Sequence, residues 1–171
     1  MKCLVQSALC FVLGTALAGC AASYAWRSSV PEDMRTIAVP TFRNESDTVE
    51  LGAQASRQIL REVQREGTFR IAATGASALE IQGVIKSSNC SMSAYDRRTY
   101  GRTSAYNCFA TAEVSVIDKK NRKVLINNRI YRAETSLTGT QDMTTAMRNA
   151  SGRLADDLAQ KVVNDILNLK W

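Results

Sequence analysis

The chain has 171 residues, a formal net charge of +6 from 22 Lys and Arg against 16 Asp and Glu, and no histidine. The missing imidazole excludes Ser-His-Asp and Cys-His nucleophilic sites and removes the commonest general base and metal ligand. The basic balance favours acidic partners such as phosphates or anionic headgroups and leaves the fold undecided.

Lys2 precedes an apolar run from Cys3 to Ala18, interrupted at Gln6, Ser7, Gly14 and Thr15. The run is too short to span a bilayer, which takes about 20 mainly apolar residues. A charged start, a short apolar middle and a small-residue end are the marks of a secretory signal. It closes on Leu17-Ala18-Gly19-Cys20, which resembles a bacterial lipobox. The expectation is a lipoprotein signal peptide over 1–19, cleavage before Cys20, and acylation of that cysteine as the lipid anchor. Three acyl chains, at about 0.8 kcal/mol per buried methylene, make such an anchor effectively permanent. Ala21 stands where an aspartate retains enterobacterial lipoproteins at the inner membrane, so an outer-membrane, periplasm-facing location is expected. Export argues against nucleic acid as a partner. Roughly 150 residues remain, enough for one domain with a real core.

Residues 20–34 lack a period and contain Pro31, and they read as a tether that becomes ordered near Val30. The domain is expected over 35–171. Arg35 to Phe42 reads as a strand apolar on both faces, with Pro40 at its end or beside a bulge. Asp47 and Glu50 fit a capping box for a helix from Thr48 to Glu66, whose stripe is Gly52, Ala55, Ile59 and Val63. Gly67 suits the residue that ends it.

From Leu79 the period becomes two, with Leu79, Ile81, Gly83 and Ile85 on one face of a strand. Ser87 to Ser93 reads as an exposed polar run. A return strand spans Ser104 to Ile117, with Tyr106, Cys108, Ala110, Ala112, Val114 and Val116 on one face. A basic turn over Asp118 to Arg122 leads to a third strand, where Val124, Ile126 and Ile130 alternate, and Leu137 to Thr140 reads as a loop. A last helix, Gln141 to Leu169, carries the stripe Met143, Met147, Ala150, Leu154, Leu158, Val162, Ile166 and Leu169. The class is α+β, in the order β-α-β-β-β-α.

Cys3 and Cys10 leave with the signal and Cys20 is acylated, so Cys90 and Cys108 remain as a pair in an oxidising compartment. Pairing them centres a hairpin near Thr99, but unbroken alternation then sets Ile85 opposite Glu113. Either a bulge between Ile85 and Cys90 shifts the face, or the thiols stay apart. The bond is the expected outcome, because free thiols are at risk there. Asp156 and Asp157 diverge by about 100° on a helix and cannot act as a carboxylate pair. No Gly-rich phosphate loop is present, and no catalytic residue, cofactor or metal site is expected.

Element order and anchor together resemble the lipopolysaccharide-assembly lipoprotein family, LptE. The residues that carry this are Pro31; Thr36-Ile37-Ala38-Val39-Pro40 with Phe42 and Asn44; Ile117-Asp118 followed by Lys123-Val124-Leu125; and Leu154-Ala155-Asp156-Asp157-Leu158-Ala159. The family usually has Gly-Tyr soon after its lipidated cysteine, where this chain has Ala21-Ala22-Ser23 before Tyr24. The resemblance implies two helices on one face of a mostly antiparallel, four-stranded sheet. It implies a non-enzymatic outer-membrane subunit that plugs a β-barrel partner of the LptD type and contacts lipopolysaccharide. Arg97, Arg98 and Arg102, interleaved with Tyr95 and Tyr100, are the candidate lipopolysaccharide-binding tip, since arginine pairs bidentately with phosphate. Lys119, Lys120, Arg122 and Lys123 form a secondary basic tip at the other end of the same strand, where turn chemistry explains them better. Both tips are expected close to the inner leaflet. The phrase Ile-Ala-Val-Pro-x-Phe-x-Asn also opens domains of lipoproteins that activate cell-wall synthases or serve curli secretion. A periplasm-facing activator is therefore the alternative, and a leash of ten to fifteen residues from Cys20, at most some 50 Å, speaks against it.

Overall fold

A computed structural model of the chain describes residues 30–96, 102–139 and 142–171, with 94–96 and 102–104 described by their backbone alone. Val30 and Met34 already pack into the core, around a short 3-10 turn at Glu32–Met34. The elements are β1 (Thr36–Ala38), β2 (Arg43–Asn44), α1 (Leu51–Glu66), β3 (Arg70–Ile71), β4 (Leu79–Asp96), β5 (Arg102–Asp118), β6 (Lys123–Thr138) and α2 (Met143–Leu167).

The sheet has six strands in the order β3-β1-β4-β5-β6, with β2 also on β4. This corrects the expected four-stranded, mostly antiparallel sheet. Pro40 lacks a ladder amide, and the first strand divides around it into β1 and β2. Both pair in parallel with β4, one after the other along a single edge. Beyond α1 the chain returns as β3, parallel to β1. The antiparallel part is the β4-β5-β6 meander. Both helices pack on one face of the sheet and against each other. They run in the same direction, from the middle of β4 toward its start.

Helix α1 buries the expected stripe, Gly52, Ala55, Ile59 and Val63, and Leu51 besides. It ends at Gly67, whose φ of 76° lets its amide donate to the Val63 carbonyl at 3.2 Å. The capping box does not form: Glu50 has a φ of 65° and its side chain makes no cap bond. The turn instead folds around Asn44, which donates to Thr48 O at 2.8 Å and accepts from the Ser46 amide at 3.2 Å. Asp47 is thereby carried off the cap position. Helix α2 runs from Met143 to Leu167 rather than from the expected Gln141 to Leu169, and Asp142 caps it by accepting from the Thr145 amide at 2.9 Å. Met143 is consequently 53% exposed.

The polar run Ser87 to Ser93 is strand, not loop, and β4 pairs with β5 as far as Asp96↔Arg102. Side-chain polarity hid it, since the backbone alone supplies the ladder. Lys86 is the extra residue of a bulge between the pairs Ile85↔Ala112 and Ser87↔Thr111. That bulge keeps Leu79, Ile81 and Ile85 buried and still sets Cys90 against Cys108. Strand β6 likewise continues into the expected loop, through Leu137 to Thr138. Ser115 faces both Asn127 and Asn128, with φ 45° at Asn128, whose amide donates to Ser115 Oγ at 3.0 Å. This second bulge reverses the faces beyond it: Ile130 turns outward, while Tyr131 and Ala133 are buried. The expected alternation of Val124, Ile126 and Ile130 holds only for Ile126.

The core is Ile37, Leu51, Ile59, Leu79, Ile81, Ile85, Leu154, Leu158 and Ile166, all fully buried. Each contributes about 1.5–3 kcal/mol by leaving water. The Phe42 ring lies over Gly83, where a Cβ would come within 2.2 Å of it. Among the described residues no helix is long and apolar enough to cross a membrane.

Candidate functional site

The turn between β5 and β6 is built around Asp118, which is 1% exposed. Its carboxylate accepts from the Asn121 amide at 3.0 Å and from Asn121 Nδ2 at 2.7 Å. Lys119 Nζ donates to Glu80 Oε2 at 2.9 Å and to Thr74 O at 2.6 Å, and Lys120 Nζ lies 2.5 Å from Asp33 Oδ2. Gln82, ahead of Lys119, donates to the Glu80 carboxyl, and together they hold it below its ordinary range despite burial; Lys120 does the same for Asp33. Of this secondary basic tip, two lysines are thus engaged as ties to β4 and the N-terminal turn. Arg122 and Lys123 are exposed, without a side-chain partner among the described residues.

Those ties fix the end at which the chain enters. Asp33 and Arg35 sit beside the Lys119–Lys120 turn, and Arg35 Nε donates to Val30 O at 3.2 Å. At the opposite end, the last described pair of β4 and β5 is Asp96↔Arg102. Seventeen residues of β5 separate the two, about 55 Å at 3.3 Å each. The 119–123 turn shares the end at which the described chain enters, and the last described pair of the hairpin, Asp96↔Arg102, stands at the other end of β5. Arg97 and Arg98 lie outside the described residues, as does Cys20. Arg102 opens β5 opposite Asp96, described by its backbone alone.

Between the ends, Cys90 and Cys108 are joined by a disulfide, their Cα atoms 4.0 Å apart. The bulge at Lys86 is what permits it. Beside this bond, the N-terminal ends of both helices and the middle of β4 enclose a groove of about 490 Å³. Val49, Gln54, Ser88, Cys90, Met143 and Met147 line it. Asp47 and Glu50 stand on one rim and Arg148 on the other. Val49 is 81% exposed, and Gln54 Oε1 is buried without a hydrogen-bond partner among the described residues.

The outer edge of β6 is dressed by α2. Asp157 accepts from the Glu134 amide at 3.2 Å, and Lys161 donates to Arg132 O at 2.7 Å. Asp165 accepts from Arg129 and, at 2.5 Å, from the Tyr131 hydroxyl. Burial first, and then Asp165, push the Tyr131 pKa up. Neither groove nor dressed edge was visible in the sequence: the groove joins three distant segments, and Asp157 reads there only as a solvated helix residue.

A family model described as lipopolysaccharide-assembly, LptE, matches residues 34–166. No curated protein matches the sequence. Among solved structures, the hypothetical protein CT253 from Chlamydia trachomatis is 14% identical, with a TM-score of 0.56 over 79% of this chain and 96% of that one. Protein XCC0632 from Xanthomonas campestris is 11% identical, with a TM-score of 0.54 over 78% and 83%. A putative neuraminyllactose-binding hemagglutinin homolog from Helicobacter pylori is 7% identical, with a TM-score of 0.52 over 81% and 86%. At such identities these likenesses concern the fold.

Proposed function

We propose a function on this premise: the chain belongs to the LptE lipopolysaccharide-assembly family. It acts as an outer-membrane lipoprotein, held by acylated Cys20 on the periplasmic side. There it occupies and stabilises a β-barrel partner of the LptD type and contacts lipopolysaccharide. Its work is positional, with no covalent chemistry.

The observation that carries this reading is the length and polarity of the meander. One end, with the Lys119–Lys120 turn, receives the chain from Cys20, and the ten residues to Val30 span at most about 35 Å. The other end stands about 55 Å away, by the count above. A bilayer with its headgroups is about 40–45 Å thick. A subunit leashed at the inner leaflet and seated in a barrel therefore has the reach to present its far tip near the outer leaflet. That tip carries Arg97, Arg98 and Arg102, and arginine pairs bidentately with the phosphates of lipid A.

Three measurements test the reading. Affinity purification from outer membranes should bring down a large barrel protein in stable proportion, and its absence would refute the assembly role. Changing Arg97, Arg98 and Arg102 together to glutamate should weaken lipopolysaccharide binding at least tenfold, whereas unchanged binding removes the tip from the site. A Cys20→Ala variant should leave the membrane fraction.

A further inference from the structure

We infer that the edge of β4 at Ser88 and Cys90, with the groove beside it, takes an extended strand from a partner polypeptide. The identity of that partner as the barrel rests on the function proposed above; strand addition itself does not.

Directly opposed residues in an antiparallel pair alternate between wide, hydrogen-bonded pairs and narrow pairs that share no ladder bond. With Cα atoms 4.0 Å apart, Cys90 and Cys108 form a narrow pair. The amide and carbonyl of Cys90 therefore point away from β5, toward the other edge of β4, and those of Ser88 follow by the two-residue period. Lower on the same edge β2 already pairs with Val84 and Ile85, and the Glu45 amide donates to Ile85 O at 2.8 Å. There β2 stops, because the chain turns away around Asn44. Among the described residues no backbone group meets Ser88 or Cys90 on that side. A row of unmet amides and carbonyls is a template for one kind of ligand, another extended backbone.

The opposite edge of the sheet shows what closure looks like here. Asp157 and Lys161 satisfy the Glu134 amide and the Arg132 carbonyl of β6. Among the described residues the β4 edge has no such dressing of its backbone at Ser88 and Cys90. It has a groove below it instead, with Val49 and Met143 exposed to receive side chains that alternate inward from an added strand. Gln54 Oε1, buried there without a donor, would be met by a backbone or side-chain N–H. A hydrocarbon chain could fill the groove but would leave Gln54, Ser88 and Cys90 unmet. Asp47 and Glu50 against Arg148 make the rim acidic on balance. The occupant is thus an extended segment with alternate apolar side chains and at least one basic residue.

Ser88→Pro removes an amide directed at the free edge, a place where edge strands tolerate proline, and its ring blocks the approach of a second backbone. Ser88→Ala is the control, since it loses only the 2.7 Å contact between Ser88 Oγ and Thr48 Oγ1. Met143→Glu charges the groove at an exposed position. In the full-length protein purified with its barrel, the Ser88 and Cys90 amides should exchange hydrogen at least tenfold more slowly than in the chain alone. Ser88→Pro and Met143→Glu should each cut barrel recovery at least tenfold, while Ser88→Ala keeps it. A photocrosslinker at Val49 in cells should yield an adduct that maps to one extended polypeptide segment and disappears in Ser88→Pro. Unchanged exchange in the complex, or full barrel recovery with Ser88→Pro, overturns the inference and leaves the barrel association standing. A Val49 adduct with lipid or with a second copy also overturns it. If no barrel co-purifies, the proposed function falls, and the Ser88→Pro sensitivity of the Val49 adduct alone decides strand addition.

Discussion

The meander has two halves, divided by the bulge at Lys86, and they hold together by different means. Below the bulge the inner face carries Leu79, Ile81, Ile85, Val114 and Val116, all buried beneath the helices. Above it the inner positions are Ser88, Cys90, Tyr106, Cys108 and Ala110, small except for the tyrosine, and α2 begins only at Met143 beside Cys90. The lower half is stabilised by apolar burial. The upper half buries less and substitutes a covalent cross-link. A long hairpin can thus project beyond its own core, provided that something other than packing fixes its register.

Breaking the lower half should have the largest effect. Ile81→Ala, at a fully buried position, should cost about 2–5 kcal/mol of global stability, read as a lower midpoint in denaturant with unchanged cooperativity. Next comes the cross-link. Replacing Cys90 and Cys108 together by serine opens a loop of 18 residues and should cost about 3 kcal/mol on the chain-entropy estimate. The contrast predicts where the loss falls. Hydrogen exchange should accelerate from Ser87 to Asn107 and stay slow from Leu79 to Ile85, and uniform acceleration would erase the distinction between the halves.

Gly83→Ala probes the lower half where it has no slack, because the new Cβ meets the Phe42 ring. Overpacking of this kind costs about 1–3 kcal/mol, and Phe42→Leu in the same chain should recover part of it. The smallest effect is at Asp142, the cap of α2 at the boundary. Hydrogen bonds from the Thr145 amide and hydroxyl hold its carboxyl below the ordinary value of 3.8. A carboxyl depressed on folding contributes stability that is complete above about pH 4 and fades as pH falls through the lowered value. Asp142→Ala should therefore remove a small acid-side dependence of stability and speed amide exchange in the first turn of α2.

The lower half was the more legible of the two. The period-two faces of β4 and β5, the stripe of α1 and the α2 stripe from Ala150 to Ile166 are direct imprints of burial, and the structure keeps them. The two-residue strands β2 and β3 leave no period to detect. The upper part of β4 was illegible for another reason: its serines satisfy no burial pattern, and only pairing along the backbone makes it strand. Ile130 was assigned to the wrong face because one extra residue at Asn127–Asn128 inverts the alternation beyond it. The cysteine pair was legible as far as a choice, bulge or no bond, and Lys86 decides it. Of the secondary basic tip, Lys119 and Lys120 reach Glu80 and Asp33, partners far off in the chain that no local pattern announces. The groove and the two sheet edges arise only when distant segments meet.

The parallel course of the two helices has an electrical consequence. A helix carries roughly half a positive elementary charge at its N-terminus and half a negative one at its C-terminus. Two helices aligned the same way on one face therefore add, giving the domain a built-in polarity of about one charge separated along its long axis. The side chains follow that axis. Asp47, Glu50 and Asp142 gather at the positive ends, whereas Arg70, Arg122, Lys123 and Lys170 belong to the end where both helices finish negative. At the helix starts, backbone and side chains are thus charged in opposition; at the other end Glu66 and Asp165 stand among the basic residues, so the opposition is weaker there.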